Sequence, residues 1–258
     1  MKYESLHVVR SDGIAEVVIT RDDVRNALAP EVRQELLSCF EELGAASDVR
    51  ALVLTGEGRS FSSGGSIRRF REQSQSSPSE VRAELDEVIR LFEAVPRLGK
   101  PVVAAVNGHA LGGGCGLAMS CDITIASDRA TFGFPEITRG FVPALVSVPC
   151  LRRLPLKKAT ELLLLGETIS AAEAVEAGLA NRVVPHDELL LAAREVARRL
   201  AGFSAEAIRN LKELIFTMSR SRDEEAALLA AREVSTLMRF STDFRAGTEA
   251  FFSKDLKS

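Results

Sequence analysis

Apolar and polar positions alternate over residues 6–10 and again over 14–20, on either side of Asp12-Gly13. Alternation marks strands with one buried face, and Asp-Gly is a strong two-residue hairpin signal, so the chain is expected to open with a hairpin. A polar loop (21–28) follows. Val32, Leu36, Leu37 and Phe40 then recur at helical spacing behind Pro30, which suits a first helical turn. That helix runs to about residue 43 and crosses to a strand at 50–55. Residues 67–78 are polar, rich in Gln and Ser and poorly periodic, and are expected to form a loop that is mobile without ligand. A second helix, 79–95, is predicted from the stripe Val81, Leu85, Val88, Ile89 and Phe92, with Ser79 as its cap. Residues 102–106 are continuously apolar, the mark of a buried strand, and Asn107-Gly108 ends it. A small-residue helix (115–121), a short strand (131–134), helices at 156–165 and 171–177 and a strand at 180–184 complete an α/β part. From residue 188 the pattern is helical only: 188–201, 205–218, 222–239 and 243–252. The expected division is an α/β core over 1–187 and a helical region over 188–258. No internal repeat or heptad run is visible.

Composition narrows the partners. With 33 basic and 36 acidic residues spread along 258 positions, the chain has no basic block that would track a nucleic-acid backbone. Cys39, Cys115, Cys121 and Cys150 form no Cys-x-x-Cys pair, and three lie in apolar stretches, which fits a reduced, cytoplasmic protein. The N-terminus lacks an apolar secretory core and no apolar run reaches membrane-spanning length, so neither export nor a membrane span is expected. His109 has no cysteine or carboxylate at ligand spacing and reads as a packed or hydrogen-bonded residue; no metal site is assigned.

The unusual chemistry lies in two glycine-rich loops. Residues 50–55 run into Gly56-Glu57-Gly58-Arg59-Ser60-Phe61-Ser62-Ser63-Gly64-Gly65-Ser66, and residues 102–106 lead through His109 to Gly112, Gly113 and Gly114 ahead of a helix. A helix N-terminus presents unpaired N–H groups and a positive dipole, and glycine lets a ligand approach the backbone. If the two strands are neighbours, an N–H from each loop converges on one oxygen, the geometry of an oxyanion hole. Glu136, after Phe134-Pro135, places a carboxylate where it can face that hole. Two donors polarising a carbonyl beside one proton-moving acid form a minimal kit for making and quenching an enolate.

These residues resemble the enoyl-CoA hydratase/isomerase, or crotonase, family. The matching pieces are RNAL at 25–28, LTGEGRSFSSGGS at 54–66, KPVVAAVNGHALGGGCGLAMSCDITIAS at 100–127, FGFPEITRGFVPA at 132–144 and ISAAEAVEAGLANRVVP at 169–185. The resemblance covers nearly the whole chain. It implies an α/β, crotonase-like spiral of ββα units with a C-terminal helical trimerisation region, and a homotrimer or a hexamer built as a dimer of trimers.

It also implies roles. The N–H groups of Gly65 and Gly113 would hold a thioester oxygen, with Ser63, Gly64 and Gly112 beside them as substrate- and CoA-binding residues, and Glu136 would be the catalytic acid/base. Val24 and Arg25 fall where the family runs its backbone along the CoA adenine, and Lys254 near a lysine that approaches CoA phosphates. Ser66 stands where an aspartate is often found. Gly116 stands where two-glutamate hydratases carry their second acid, and the segment 140–153 resembles the branch that includes methylglutaconyl-CoA-type hydratases. Arg139 pairs either with an acidic acyl substituent or in an ordinary salt bridge. The expected activity is an enoyl-CoA hydratase-type lyase acting on an acyl-CoA thioester with no metal or redox cofactor. The alternatives are an enoyl-CoA isomerase and a non-catalytic acyl-CoA-binding homologue.

Overall fold

The computed structural model describes residues 3–73, 75–221 and 223–255. Strands β1 (Leu6–Ser11) and β2 (Ile14–Ile19) pair antiparallel around Asp12 and Gly13, both at positive φ, as the hairpin signal predicts. Helix α1 (Pro30–Ala45) starts at its proline and buries Val32, Leu36, Phe40 and Leu43. Then come β3 (Ala51–Gly56), β4 (Ser60–Ser62), α2 (Ile67–Gln73), α3 (Pro78–Arg97), β5 (Val102–Val106), β6 (His109–Leu111), α4 (Gly113–Ser120), β7 (Ile123–Ser127) and β8 (Thr131–Gly133). A 3-10 turn, Pro135–Arg139, leads into α5 (Ala144–Arg153), α6 (Leu156–Leu165), β9 (Thr168–Ser170), α7 (Ala171–Ala177) and β10 (Arg182–Val184). Helices α8 (Leu189–Ala201), α9 (Ala205–Met218), α10 (Glu224–Met238) and α11 (Thr242–Asp255) follow.

Two sheets organise the chain. The larger has the order β1-β2-β3-β5-β7-β10, parallel from β2 onward, and the smaller β4-β6-β8-β9. Every residue of β3 and β5 is buried, as continuous apolar runs require when helices cover both faces. On one face α8 packs Leu189, Ala193 and Ala197 against Ala51, Val53, Val103, Ala105 and Ile125. On the other, a larger cluster joins Leu52, Leu54, Val102 and Ala104 to α1 and α3 through Leu36, Phe40 and Leu91. Each full-sized side chain so buried contributes roughly 2 kcal/mol. The chain passes from the large sheet to the small one three times, β3 to β4, β5 to β6 and β7 to β8, with helix following each passage. This is the expected spiral of ββα units, beside a C-terminal helical region.

Several local expectations are corrected. The strands β4, β6, β7 and β9 are not predicted; β4, β6 and β9, at three residues each, are too short to show a period. Residues 67–73, expected in a loop, are helical, while Ser74 lies outside the described residues. The cap of α3 is Ser77, not Ser79: its hydroxyl accepts from the Glu80 N–H at 3.3 Å, and the Glu80 carboxylate accepts from the Ser77 N–H at 2.7 Å. Pro78 then takes the first helical position. Helix α4 begins at Gly113 rather than Cys115, and α5 spans a stretch with no helical prediction, despite Pro149 within it.

The last helices are held differently. Lys212 of α9 is buried and donates to Asp122 Oδ2 at 2.6 Å and to the Lys100 carbonyl at 2.8 Å, fastening α9 to the core. Helix α10 buries none of its residues.

Candidate active site

The site is assembled by the small sheet. In β4, Ser60 pairs with His109 of β6, and in β6, Leu111 pairs with Gly133 of β8, all in parallel. Three neighbouring strands therefore end side by side, where open parallel sheets commonly hold ligands. The end of β4 delivers Ser63 to Ser66, the end of β6 delivers Gly112 and the start of α4, and the end of β8 delivers Glu136. The predicted neighbourhood of residues 50–55 and 102–106 also holds, since Leu52 pairs with Val102 in the large sheet.

Contact between the two glycine loops is close enough to require glycine. Gly64 has φ 80°, and a Cβ there would lie 2.5 Å from the Leu111 carbonyl oxygen and 2.7 Å from the Gly113 nitrogen. The Gly113 Cα faces the Gly65 nitrogen across this junction: a Cβ on Gly113 would sit 3.7 Å from it. Among the described residues neither the Gly65 nor the Gly113 N–H donates a hydrogen bond. The segment bearing Val24 and Arg25 is stitched to the same loop, with the Ser63 N–H donating to the Arg25 carbonyl at 3.0 Å and the Leu28 N–H to the Gly64 carbonyl at 2.7 Å. Arg25 and Asn26 both adopt left-handed φ. The buried Asn26 amide holds that corner, donating to the carbonyls of Glu57 and Ser60 and accepting from the Arg21 N–H.

Glu136 packs its carboxylate against Gly112, whose φ of 51° and missing Cβ leave room for Oε1. Its Oε2 is buried without a hydrogen-bond partner. Burial pushes the Glu136 carboxyl above its ordinary pKa, outweighing its backbone hydrogen bond and the nearby Arg139, which act the other way. The Gly116 position is unlike it: a Cβ there would lie 2.7 Å from the Phe92 ring and 2.9 Å from Val146 Cγ1. Apolar side chains crowd the position where the resemblance would place a second acid.

Two cavities meet at this point. One, about 780 Å³, is lined by Asp23, Val24, Arg25, Ser63, Arg68 and Arg139 among others. The second, about 490 Å³, is largely apolar, with Val81, Leu85, Val88, Phe92 and Val146 in its wall. Gly65, Phe70, Glu136 and Phe141 line both. Phe70 and Phe141 stack with ring centroids 5.0 Å apart, and the Phe70 ring lies directly against Gly65. Sequence reasoning missed both phenylalanines, Phe70 because α2 reads as a polar loop and Phe141 because it lies between elements, where no period shows. Arg139 donates to the Pro135 carbonyl at 3.2 Å, and His109 Nδ1 lies 2.8 Å from Thr131 Oγ1. Lys254 belongs to α11, but its side chain lies outside the described residues. All four cysteines are free and buried. No helix among the described residues is long and apolar enough to cross a membrane.

Comparison with known proteins gives the family and the fold. The sequence profile of the enoyl-CoA hydratase/isomerase family matches residues 9–257. A putative enoyl-CoA hydratase of Thermus thermophilus is 36% identical over 246 residues, covering 95% of this chain and 97% of that protein. The 2,3-dehydroadipyl-CoA hydratase of Escherichia coli is 32% identical over 251 residues, with 96% of each chain covered. Among solved structures, an enoyl-CoA hydratase of Mycobacterium smegmatis superposes with a TM-score of 0.92 at 27% identity, over 97% of this chain and 96% of that one. The profile match, the relatives and the shared fold together show that this chain belongs to the enoyl-CoA hydratase/isomerase family of enzymes.

Proposed function

We infer that the protein is an enoyl-CoA hydratase-type lyase in which Gly65 and Gly113 hold the thioester oxygen and Glu136 moves the proton. The observation that carries this is the convergence, at three adjacent strand ends, of two N–H groups with no acceptor and a buried carboxylate oxygen with no donor. Bound between the glycines, a thioester oxygen would gain charge as the enolate forms, and each donor aimed at it typically supplies a few kcal/mol of transition-state stabilisation. Glu136, as carboxylate, takes a proton from water as oxygen adds at C3, and the resulting carboxylic acid returns a proton to C2. CoA would occupy the larger cavity, where Arg25, Arg68 and Arg139 suit its phosphates, and the acyl chain the apolar one. Coenzyme A enters as part of the substrate, and the steps drawn need no other cofactor. Four buried thiols suit a reducing, cytoplasmic setting.

The filled Gly116 position favours a second reading, double-bond isomerisation, because one carboxylate suffices to carry a proton from C2 to C4. Mass spectrometry of products from linear, branched and carboxylated enoyl-CoAs in oxygen-18 water separates the two. Label in a 3-hydroxyacyl product is expected. Double-bond migration with no label in any product would transfer the assignment to isomerase.

The assembly proposed is a trimer, or a hexamer of two trimers, formed through the last helices. Leu228, Leu237 and Phe240 are exposed on or just after α10, and exposed apolar patches mark interfaces. Light scattering at micromolar concentration should give at least three chain masses; a monomer would refute it.

A further inference from the structure

Two buried side-chain polar atoms among the described residues lack a hydrogen-bond partner, Glu136 Oε2 and Arg33 Nε. Both residues line the same apolar cavity. Such groups are rare in folded proteins, since burying one unpaired is costly, and two on one cavity wall suggest that a ligand completes both. Glu136 already has a role at the reacting end.

Arg33 is 5% exposed, and both terminal nitrogens of its guanidinium have partners. Nη1 donates to the Leu28 carbonyl at 2.8 Å, and Nη2 to Glu87 Oε2 at 3.0 Å, with Glu84 Oε2 at 3.9 Å. Glu84 in turn accepts from Arg69 and from the Gln73 amide. Arg33, Arg69, Gln73 and Glu84 all line the cavity, giving an otherwise apolar pocket one polar patch.

The charges in that patch decide what it accepts. Arg33 and Arg69 are matched by Glu84 and Glu87, and Arg69 also reaches Glu72. No net positive charge is left for a carboxylate, which would meet two fixed acids as it entered. A neutral oxygen needs only the N–H of Nε, the one guanidinium nitrogen without a partner among the described residues. We propose that Arg33 is a specificity residue, donating from Nε to a neutral oxygen, hydroxyl, carbonyl or amide, carried on the acyl chain of the substrate. This rests on the assignment of the apolar cavity to the acyl group.

The test is a set of length-matched 2-enoyl-CoAs, at several chain lengths, ending in an alkyl group, a neutral oxygen function or a carboxylate. With the unaltered enzyme, kcat/KM for the best neutral oxygenated ester should exceed that of its alkyl match by about 10-fold or more, the size of one hydrogen bond to a charged donor. Arg33→Lys keeps the charge opposite Glu87 but puts a methylene where Nε stood. It should cut the oxygenated-to-alkyl ratio by about 10-fold, and because it is a ratio, general damage to the loop that Leu28 anchors cancels. A ratio near one with the unaltered enzyme, or a carboxylated ester preferred over both, overturns the proposal whether or not the variant folds. Failure to turn over any member, alkyl esters included, would instead overturn the enoyl-CoA reading and this inference with it.

Discussion

The two flanks of the first turn of α4 are built on opposite principles. Beside Gly112 the chain keeps a buried carboxylate with one oxygen unpartnered, whereas beside Gly116 it packs Phe92 and Val146 into contact with the glycine. The first arrangement costs stability, typically about 1–3 kcal/mol for a buried polar atom left unpaired, and the second gains it. Folding alone would favour apolar packing on both flanks. A costly group beside a stabilising one is what the proposed roles require, with Glu136 kept for chemistry and the Gly116 flank free of it.

The comparison breaks first at Glu136. Glu136→Gln keeps shape and volume and should lower kcat by ~100- to 10,000-fold, the range expected for a positioned acid/base, while a saturated acyl-CoA still binds in calorimetry. Turnover within a few-fold of the unaltered enzyme would show that the unpartnered oxygen has another purpose. Next in size is the loop junction. Gly64→Ala adds a methyl into the Leu111 carbonyl and the Gly113 nitrogen at a φ of 80°, so it must separate the two proposed donors. A fall in kcat/KM of about 100-fold is expected, comparable to losing one donor. Steady-state kinetics on the best enoyl-CoA would decide it, and an unchanged value would remove the converged N–H pair from the mechanism.

The Gly116 flank gives a smaller, structural effect. Gly116→Glu has no room beside Phe92 and Val146, and should destabilise the fold by about 2 kcal/mol without raising hydration. In urea melts, Phe92→Ala should recover part of that loss, appearing as favourable coupling in a double-mutant cycle. If Gly116→Glu alone folds at full stability and hydrates faster, the apolar filling is not what distinguishes this site.

Much of the fold is legible in the chain because its long elements carry long patterns. Val32, Leu36 and Phe40 keep one helical face, and residues 102–106, short, β-branched and bounded by Pro101 and Asn107-Gly108, read as a buried strand. The small sheet is another matter. Ser60–Ser62 and His109–Leu111 are three residues each, and what brings Gly65, Gly113 and Glu136 together is backbone pairing between them, which leaves no mark in side-chain periodicity. The glycine loops and Glu136 stand out in the sequence and the resemblance picks Gly65 and Gly113 from the loops, but that the loops meet depends on the strands being neighbours, which the register supplies. Arg33 shows a different limit. It sits between Val32 and Leu36 on a helix whose stripe reads as core, and its half-buried partner Glu87 is 54 positions away. No local pattern joins two charges at that separation. Phe70 was lost for a simpler reason, since a seven-residue helix among Gln, Ser and Arg has too few apolar positions to show a stripe.

The smallest effect sharpens the comparison because it has the opposite sign to the first. Burial raises the Glu136 pKa in the folded protein, so the folded state binds its proton more tightly than the unfolded chain does. The stabilising contribution of the protonated form is fully present below the ordinary carboxylate pKa and is lost as pH rises through the raised folded value. At neutral pH the ionised group is therefore a liability to the fold. Glu136→Gln, neutral at every pH, should raise stability there by up to about 1 kcal/mol, the scale on which strained active sites trade stability for activity. The gain should shrink as pH falls and vanish below the ordinary carboxylate range, where both proteins carry a neutral side chain. Activity of the unaltered enzyme should follow the same titration, declining on the acidic side at a pH above that of an ordinary glutamate as the base is protonated. Denaturant midpoints of the two proteins across pH would measure the stability part, and a variant no more stable than the parent at neutral pH would mean that the Glu136 flank carries no folding cost and that the contrast with Gly116 is one of shape alone.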